Sequence, residues 1–219
     1  MPRTGRPRGF DRDLAVQQAM RLFWEQGYEA TSLAQLKAAM GGIAPASFYA
    51  AFKSKEALFR EALDRYLVTH GQVTAPLLDP AVPPRMAVEQ SLRASARMQT
   101  DGAHPLGCLI VLSTNVSSPE NRHLQAVLAT ERQRNRDGLR ACVQRAIVSG
   151  ELRDDTDTSG LAAVFDAFLT GLSIEARDDV SLATLDAGIT ELMRLWDAHA
   201  CIRPASKPQP AATPSVGHG

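Results

Sequence analysis

Aromatic side chains are scarce in this chain, at 5% of its 219 residues, while alanine and leucine are plentiful. That balance favours helices over sheets. Cysteine is almost missing. Cys108, Cys142 and Cys201 are odd in number, far apart and without a CxxC pair, which excludes a disulfide framework and fits reduced thiols of an intracellular protein. No apolar signal region opens the chain and no apolar run approaches transmembrane length, so a cytoplasmic protein is expected. The motifs of common enzymes are also lacking: there is no P-loop, no G-x-G-x-x-G, no G-x-S-x-G, no H-E-x-x-H and no convincing carboxylate pair. Neither an enzyme nor a cofactor is expected. The formal net charge is zero, which taken alone argues against a nucleic-acid partner.

The distribution of charge reverses that inference. Residues 1–70 hold ten Lys or Arg against seven Asp or Glu, and the remainder holds fourteen against seventeen. A mildly basic N-terminal part joined to a mildly acidic remainder fits one DNA-facing domain and one that faces something else. A hydrophobic content of 44% with 22% charged residues is that of a soluble globular protein with room for one large domain or two small ones.

Residues 1–9 read as a basic arm rich in Gly and Pro. Asp11 caps a first helix over about 12–26, which Gly27 ends. Ser32 and Gln35 form a capping box for a second helix, and Gly41-Gly42 stops it. A third helix is expected over 45–52 with Pro45 in its first turn, and a fourth over 55–69 capped by Ser54. Pro76, Pro80, Pro83 and Pro84 mark a linker. Further helices are expected at about 85–100, from near 106, at 120–149, at 158–177 and at 182–200. The tail over 203–219 is without periodicity and reads as disordered. The fold class is all-α, with a helix-turn-helix domain over 10–70 and a larger helical domain over 71–202.

The second and third helices have the size of a DNA-reading pair. Small residues Ala44, Pro45, Ala46 and Ser47 let the third helix sit deep in the major groove, and Tyr49 can reach a phosphate. Lys53 and Lys55 follow, where cations clamp the backbone, and Thr31 and Ser32 offer hydroxyls at the preceding helix start. Arg6 and Arg8, in Gly5-Arg6-Pro7-Arg8, suit a narrow A·T-rich minor groove, with a solvated basic terminus as the plainer alternative.

Residues 10–59 resemble the N-terminal domain of the TetR/AcrR (tetracycline-repressor) family. The resemblance rests on Leu22-Phe23, Gly27-Tyr28, Thr31-Ser32-Leu33, Leu36, Gly42-Ile43, Phe48-Tyr49, Phe52, Lys55 and Leu58. The chain departs from the family at Met40-Gly41-Gly42-Ile43, a turn one residue longer than usual, and at Ala44 and Ala46. The resemblance implies double-stranded DNA as partner, with contacts at Thr31, Pro45, Ala46, Ser47, Tyr49 and Lys55. It also implies a homodimer built from the last two helices, here Leu161, Phe165, Leu172, Leu185, Ile189, Leu192 and Trp196, and an unidentified small-molecule effector. Candidate pocket residues are Met98, Cys108, Leu112, Phe165 and Phe168, each of which equally suits an ordinary core. His104 and Cys108 lie four apart, but Pro105 and Gly107 break the register and no third ligand is near, so no metal is expected. A ligand-responsive transcriptional repressor is the expected function. An effector-independent DNA-binding protein, or a helical enzyme without recognisable motifs, are the alternatives.

Overall fold

A computed structural model describes residues 11–113 and 118–201. Arg6, Arg8 and the tail over 203–219 therefore lie outside the described residues. The described residues form nine α-helices and two short 3-10 segments, with one isolated antiparallel bridge, Leu152 to Ala200.

Local chemistry sets the first four helices. Asp11 accepts from the Leu14 amide at 3.0 Å and opens α1, Arg12–Ala30. Gly27, at φ 80° and ψ 168°, interrupts it in a conformation open only to glycine, and the chain resumes one further turn. Helix α2, Leu33–Ala39, carries the expected capping box: Ser32 Oγ accepts from the Gln35 amide at 3.1 Å, and Gln35 Oε1 accepts from the Ser32 amide at 2.7 Å. Gly41 and Gly42 both take positive φ in the turn. Helix α3, Pro45–Phe52, ends at Lys53, a non-glycine residue held at φ 63°. Ser54 then caps α4, Lys55–Thr69, by accepting from the Ala57 amide at 3.0 Å.

Of the prolines expected to mark a linker, Pro76 and Pro80 lie in a packed strap, and Pro83 and Pro84 open the next helix. The 3-10 segment Gly71–Leu78 buries Leu77, whose carbonyl accepts from the Cys142 thiol at 3.5 Å. Arg145 donates to the carbonyls of Asp79, Pro80 and Val82, so backbone groups freed by the prolines are satisfied by a side chain.

Helices α5 (Pro84–Gln99), α6 (Leu109–Leu112), α7 (Arg122–Val148), α8 (Thr158–Arg177) and α9 (Leu182–Ala198) complete the described chain, with a 3-10 turn at Pro119–Asn121. The helix expected from near Leu106 shrinks to four residues. Gly107 sits at φ 79°, and a side chain there would meet the Ser173 carbonyl at 2.7 Å, so the chain turns before it can coil. Helix α8 is long and apolar enough to cross a membrane by length and composition, contrary to the expectation of none. Leu161, Phe165, Leu169 and Leu172 are nevertheless buried in the protein's own interior.

Two cores result. The first joins α1–α4, around Phe23, Trp24, Phe48, Phe59 and Tyr66, and is sealed by Leu109 and Ile110 of α6 and Leu124 and Leu128 of α7. The second lies among α5, α7, α8 and α9, around Leu92, Val143, Phe165, Ile189 and Trp196.

Candidate DNA interface and cavity

Phe48 and Phe52 are buried on one side of α3, which anchors the helix and turns its other side outward. Pro45, Ala46, Ser47 and Tyr49 are exposed there, Tyr49 to 51%. Ser32 and Lys53 are exposed as well. Lys55 is partly buried, its ammonium 4.2 Å over the Tyr28 ring, and that burial pushes its pKa below the usual lysine range against the opposing pull of Glu29. Thr31 departs from expectation. It is fully buried and its hydroxyl donates to the Gly27 carbonyl at 2.6 Å, so that side chain closes the end of α1 and does not face solvent.

A cavity of ≈ 180 Å³ opens between α4, α5, α7 and α8. Met98 and Cys108 line it, as expected; Leu112, Phe165 and Phe168 do not. Phe165 is wholly buried with its ring edge-on to Trp196 at 5.9 Å, and the Phe168 ring faces Gly188 of α9. The sequence reading missed the polar wall: Arg132, Asn135 and Asp166 with Ser95 and Thr170. In sequence Arg132 is one of several arginines along a charged helix, and nothing local separates it from its solvated neighbours.

The Cys108 thiol lies in the cavity wall. Burial raises its pKa, although the Tyr66 hydroxyl lies 3.2 Å from Sγ and partly opposes the shift. His104 turns away from it, stacked on Trp24 at 4.5 Å with Nδ1 on the Pro105 carbonyl. Among the described residues no three His, Cys, Asp or Glu side chains gather as a metal site.

The cavity and α3 are joined through α4. Helix α4 starts three residues beyond the end of α3 and delivers Tyr66 and Leu67 to the cavity wall. The last turns of α1 are held from the other side. Arg177 of α8 donates to the carbonyls of Trp24 at 3.0 Å and Glu25 at 2.9 Å, and the Trp24 indole donates to the Gly107 carbonyl at 3.1 Å. Glu29 accepts from the Ser118 amide and Asn121 at 2.9 and 2.7 Å, bonds that lower its pKa. His123 Nε2 meets Glu56 Oε2 at 3.0 Å.

Helices α8 and α9 face two ways. Leu161, Phe165, Leu172, Leu185, Ile189 and Trp196 are buried within the subunit, and only Leu192 of the expected interface set is partly exposed. The outward face of α8 is apolar too, with Val164 at 44% and Ile174 at 47% exposure, Ala167 exposed and Phe168 half-buried between them.

An exposed short helix on a turn-linked pair, coupled to a hollow helical unit, defines a helix-turn-helix transcriptional regulator. The sequence comparisons name the kind. The profile of bacterial regulatory proteins of the tetR family matches residues 15–62, and that of the tetracyclin repressor-like C-terminal domain matches residues 87–190. The HTH-type transcriptional repressor ComR of Escherichia coli (strain K12) is 35% identical over 193 residues, covering 88% of this chain and 91% of ComR. A cysteine-substituted CifR, a TetR family regulator solved with 26-base-pair operator DNA, is 43% identical with a TM-score of 0.79, covering 87% of this chain and all of that one. A TetR regulator from Chloroflexus aurantiacus is 25% identical with a TM-score of 0.72, covering 86% of this chain and 95% of the other. The chain belongs to the TetR family of transcriptional regulators. It is a DNA-binding regulator and not an enzyme.

Proposed function

We propose that this protein is a cytoplasmic homodimeric repressor that holds a palindromic operator and leaves it when a small molecule fills the cavity. The observation that carries the reading is the course of α4, whose first turn follows the recognition helix α3 and whose last turns wall the cavity. Residues 10–70 form the reading domain and 71–202 the sensing and pairing domain. Ser47, Pro45 and Ala46 meet base edges, while Ser32, Tyr49, Lys53 and Lys55, with Arg6 and Arg8 of the arm, hold phosphates or the minor groove. Thr31 supports that surface from beneath through its bond to Gly27.

A single helix-turn-helix makes few contacts, and two related by a two-fold axis double them. The outward apolar face of α8, Val164, Ala167, Phe168 and Ile174, together with Leu192 of α9, forms the pairing surface. The buried set expected from the sequence serves the subunit's own core. A ligand that fits only the non-binding spacing of the two reading helices drains the bound population. Operator complexes of CifR, similar over most of the chain, support the DNA step.

The test is binding of the full chain to the DNA upstream of its own gene. Palindrome-selective binding that weakens steeply with salt is expected; binding indifferent to both sequence and salt sinks the proposal.

A further inference from the structure

Among the described residues, the carboxylates lining the cavity form ion pairs with other arginines and leave Arg132 without an ion-pair partner. Glu131 meets Arg134 at 3.1 Å, and Asp166 meets Arg136 at 3.6 Å. Arg132 donates to the Ile110 carbonyl at 2.7 Å, and no carboxylate among the described residues lies within ion-pair reach of it. Burial and the neighbouring Arg136 lower its pKa, against the longer-range pull of Asp166. Beside it on the cavity wall sit Ser95, Asn135 and Thr170. Among the described residues none of these three makes a side-chain hydrogen bond, although Ser95 is only 1% exposed. Their polar atoms are open to hydrogen bonds from an occupant of the cavity. Met98, Ile110 and Leu169 provide an apolar counterpart.

We infer that the cavity takes a small amphiphilic monoanion, a carboxylate seated on the free face of Arg132 with its apolar part against Met98, Ile110 and Leu169. Guanidinium matches a carboxylate with two parallel hydrogen bonds, the strongest recognition this wall offers. A cation is disfavoured, since Asp166 already faces Arg136 and burial pushes its carboxyl above the usual range. Size limits the tail. A space of ≈ 180 Å³ lies below the ~300–1,000 Å³ of drug-sized sites and suits a short fatty acid or an aromatic acid of one ring. The inference rests on reading this cavity as the effector site.

Calorimetric titration of the full chain with hexanoate and benzoate, against hexanamide, benzamide and hexylamine, tests it. Carboxylates are expected to bind at least about tenfold tighter than the matching amides. Arg132→Gln removes that preference while leaving amide binding in place, which also reports a folded cavity, and Arg132→Lys keeps part of it. Equal affinities, preference for the amine, no binding of any probe, or carboxylate preference unchanged in Arg132→Gln each overturn the inference. Operator release, followed in parallel, separates the two readings. Carboxylates that bind without freeing DNA count against the proposed regulation alone, and amides that free DNA in place of carboxylates count against the anion alone.

Discussion

Thr31 and Ser32 are adjacent hydroxyls at the same helix start, and they do different work. Ser32 stays exposed in its capping box, while Thr31 is buried with its hydroxyl on the Gly27 carbonyl at 2.6 Å. That carbonyl belongs to a residue whose conformation has broken α1, so it has no helical donor of its own. Replacing Thr31 with Val keeps the shape and removes the donor. Urea unfolding is expected to show a loss of about 1–3 kcal/mol, with operator affinity of the folded protein little changed. Ser47→Ala should do the reverse, altering stability by less than about 0.5 kcal/mol while weakening operator binding. If Thr31→Val kept full stability and lost the operator, the buried-cap account would be wrong. The sequence marks both threonine and serine as hydroxyls near a helix N-terminus. Only the fold of Gly27 against Ser113, whose carbonyl accepts from the Tyr28 amide at 3.0 Å, decides which of them turns inward.

At the scale of elements, the ends of helices were legible because capping is local. The bounds expected for α3, α4 and α8 coincide with those observed, each opened by a Pro, Ser or Asp within a residue or two of its start. What lay beyond reach was how elements meet. His70, at the end of α4, and His104, in the loop before α6, come together with ring centroids 4.7 Å apart around Trp24 of α1. Burial first, then His104 and Arg21, lower the pKa of His70, with Asp101 opposing. The folded state therefore prefers neutral His70. Its contribution to stability is present above the unfolded value of about 6.5 and is lost as pH falls through the lowered folded pKa. The melting temperature is expected to drop between pH 7.5 and pH 5.5, and His70→Phe should shrink that drop. An equal drop in the variant would assign the acid sensitivity elsewhere. Because this cluster joins α1 and the end of α4 to the loop before α6, operator affinity should follow the same pH trend.

For the molecule as a whole, the proposed dimer depends on which face of α8 is free. Val164 and Ile174 are exposed within the subunit, whereas Phe165 and Ile189 are fully buried. The double substitution Val164→Arg, Ile174→Arg is expected to give a folded monomer by sedimentation equilibrium, with operator affinity reduced by orders of magnitude through loss of the second half-site. Ile189→Ala should instead destabilise by about 2–5 kcal/mol as a core truncation. A double variant that remains dimeric would place the pairing surface elsewhere.

The sequence by itself determined the helices other than α6, the caps at Asp11, Ser32 and Ser54, the turn at Gly41-Gly42 and the anchoring of α3 by Phe48 and Phe52, because each depends on residues within one or two turns of one another. It also sufficed for the family, through an ordered set of such local signals. Tertiary structure alone decided that Thr31 is buried and that the proline-marked segment is strapped down by Arg145. It alone decided that α8 buries Phe165 and exposes Val164, and that Arg132 lines a cavity where, among the described residues, no carboxylate lies within ion-pair reach of it. The physical reason is common to all four. A helix apolar on both sides has no orientation of its own, and a charge or hydroxyl acquires its meaning from partners distant in the chain, which packing brings near or leaves out.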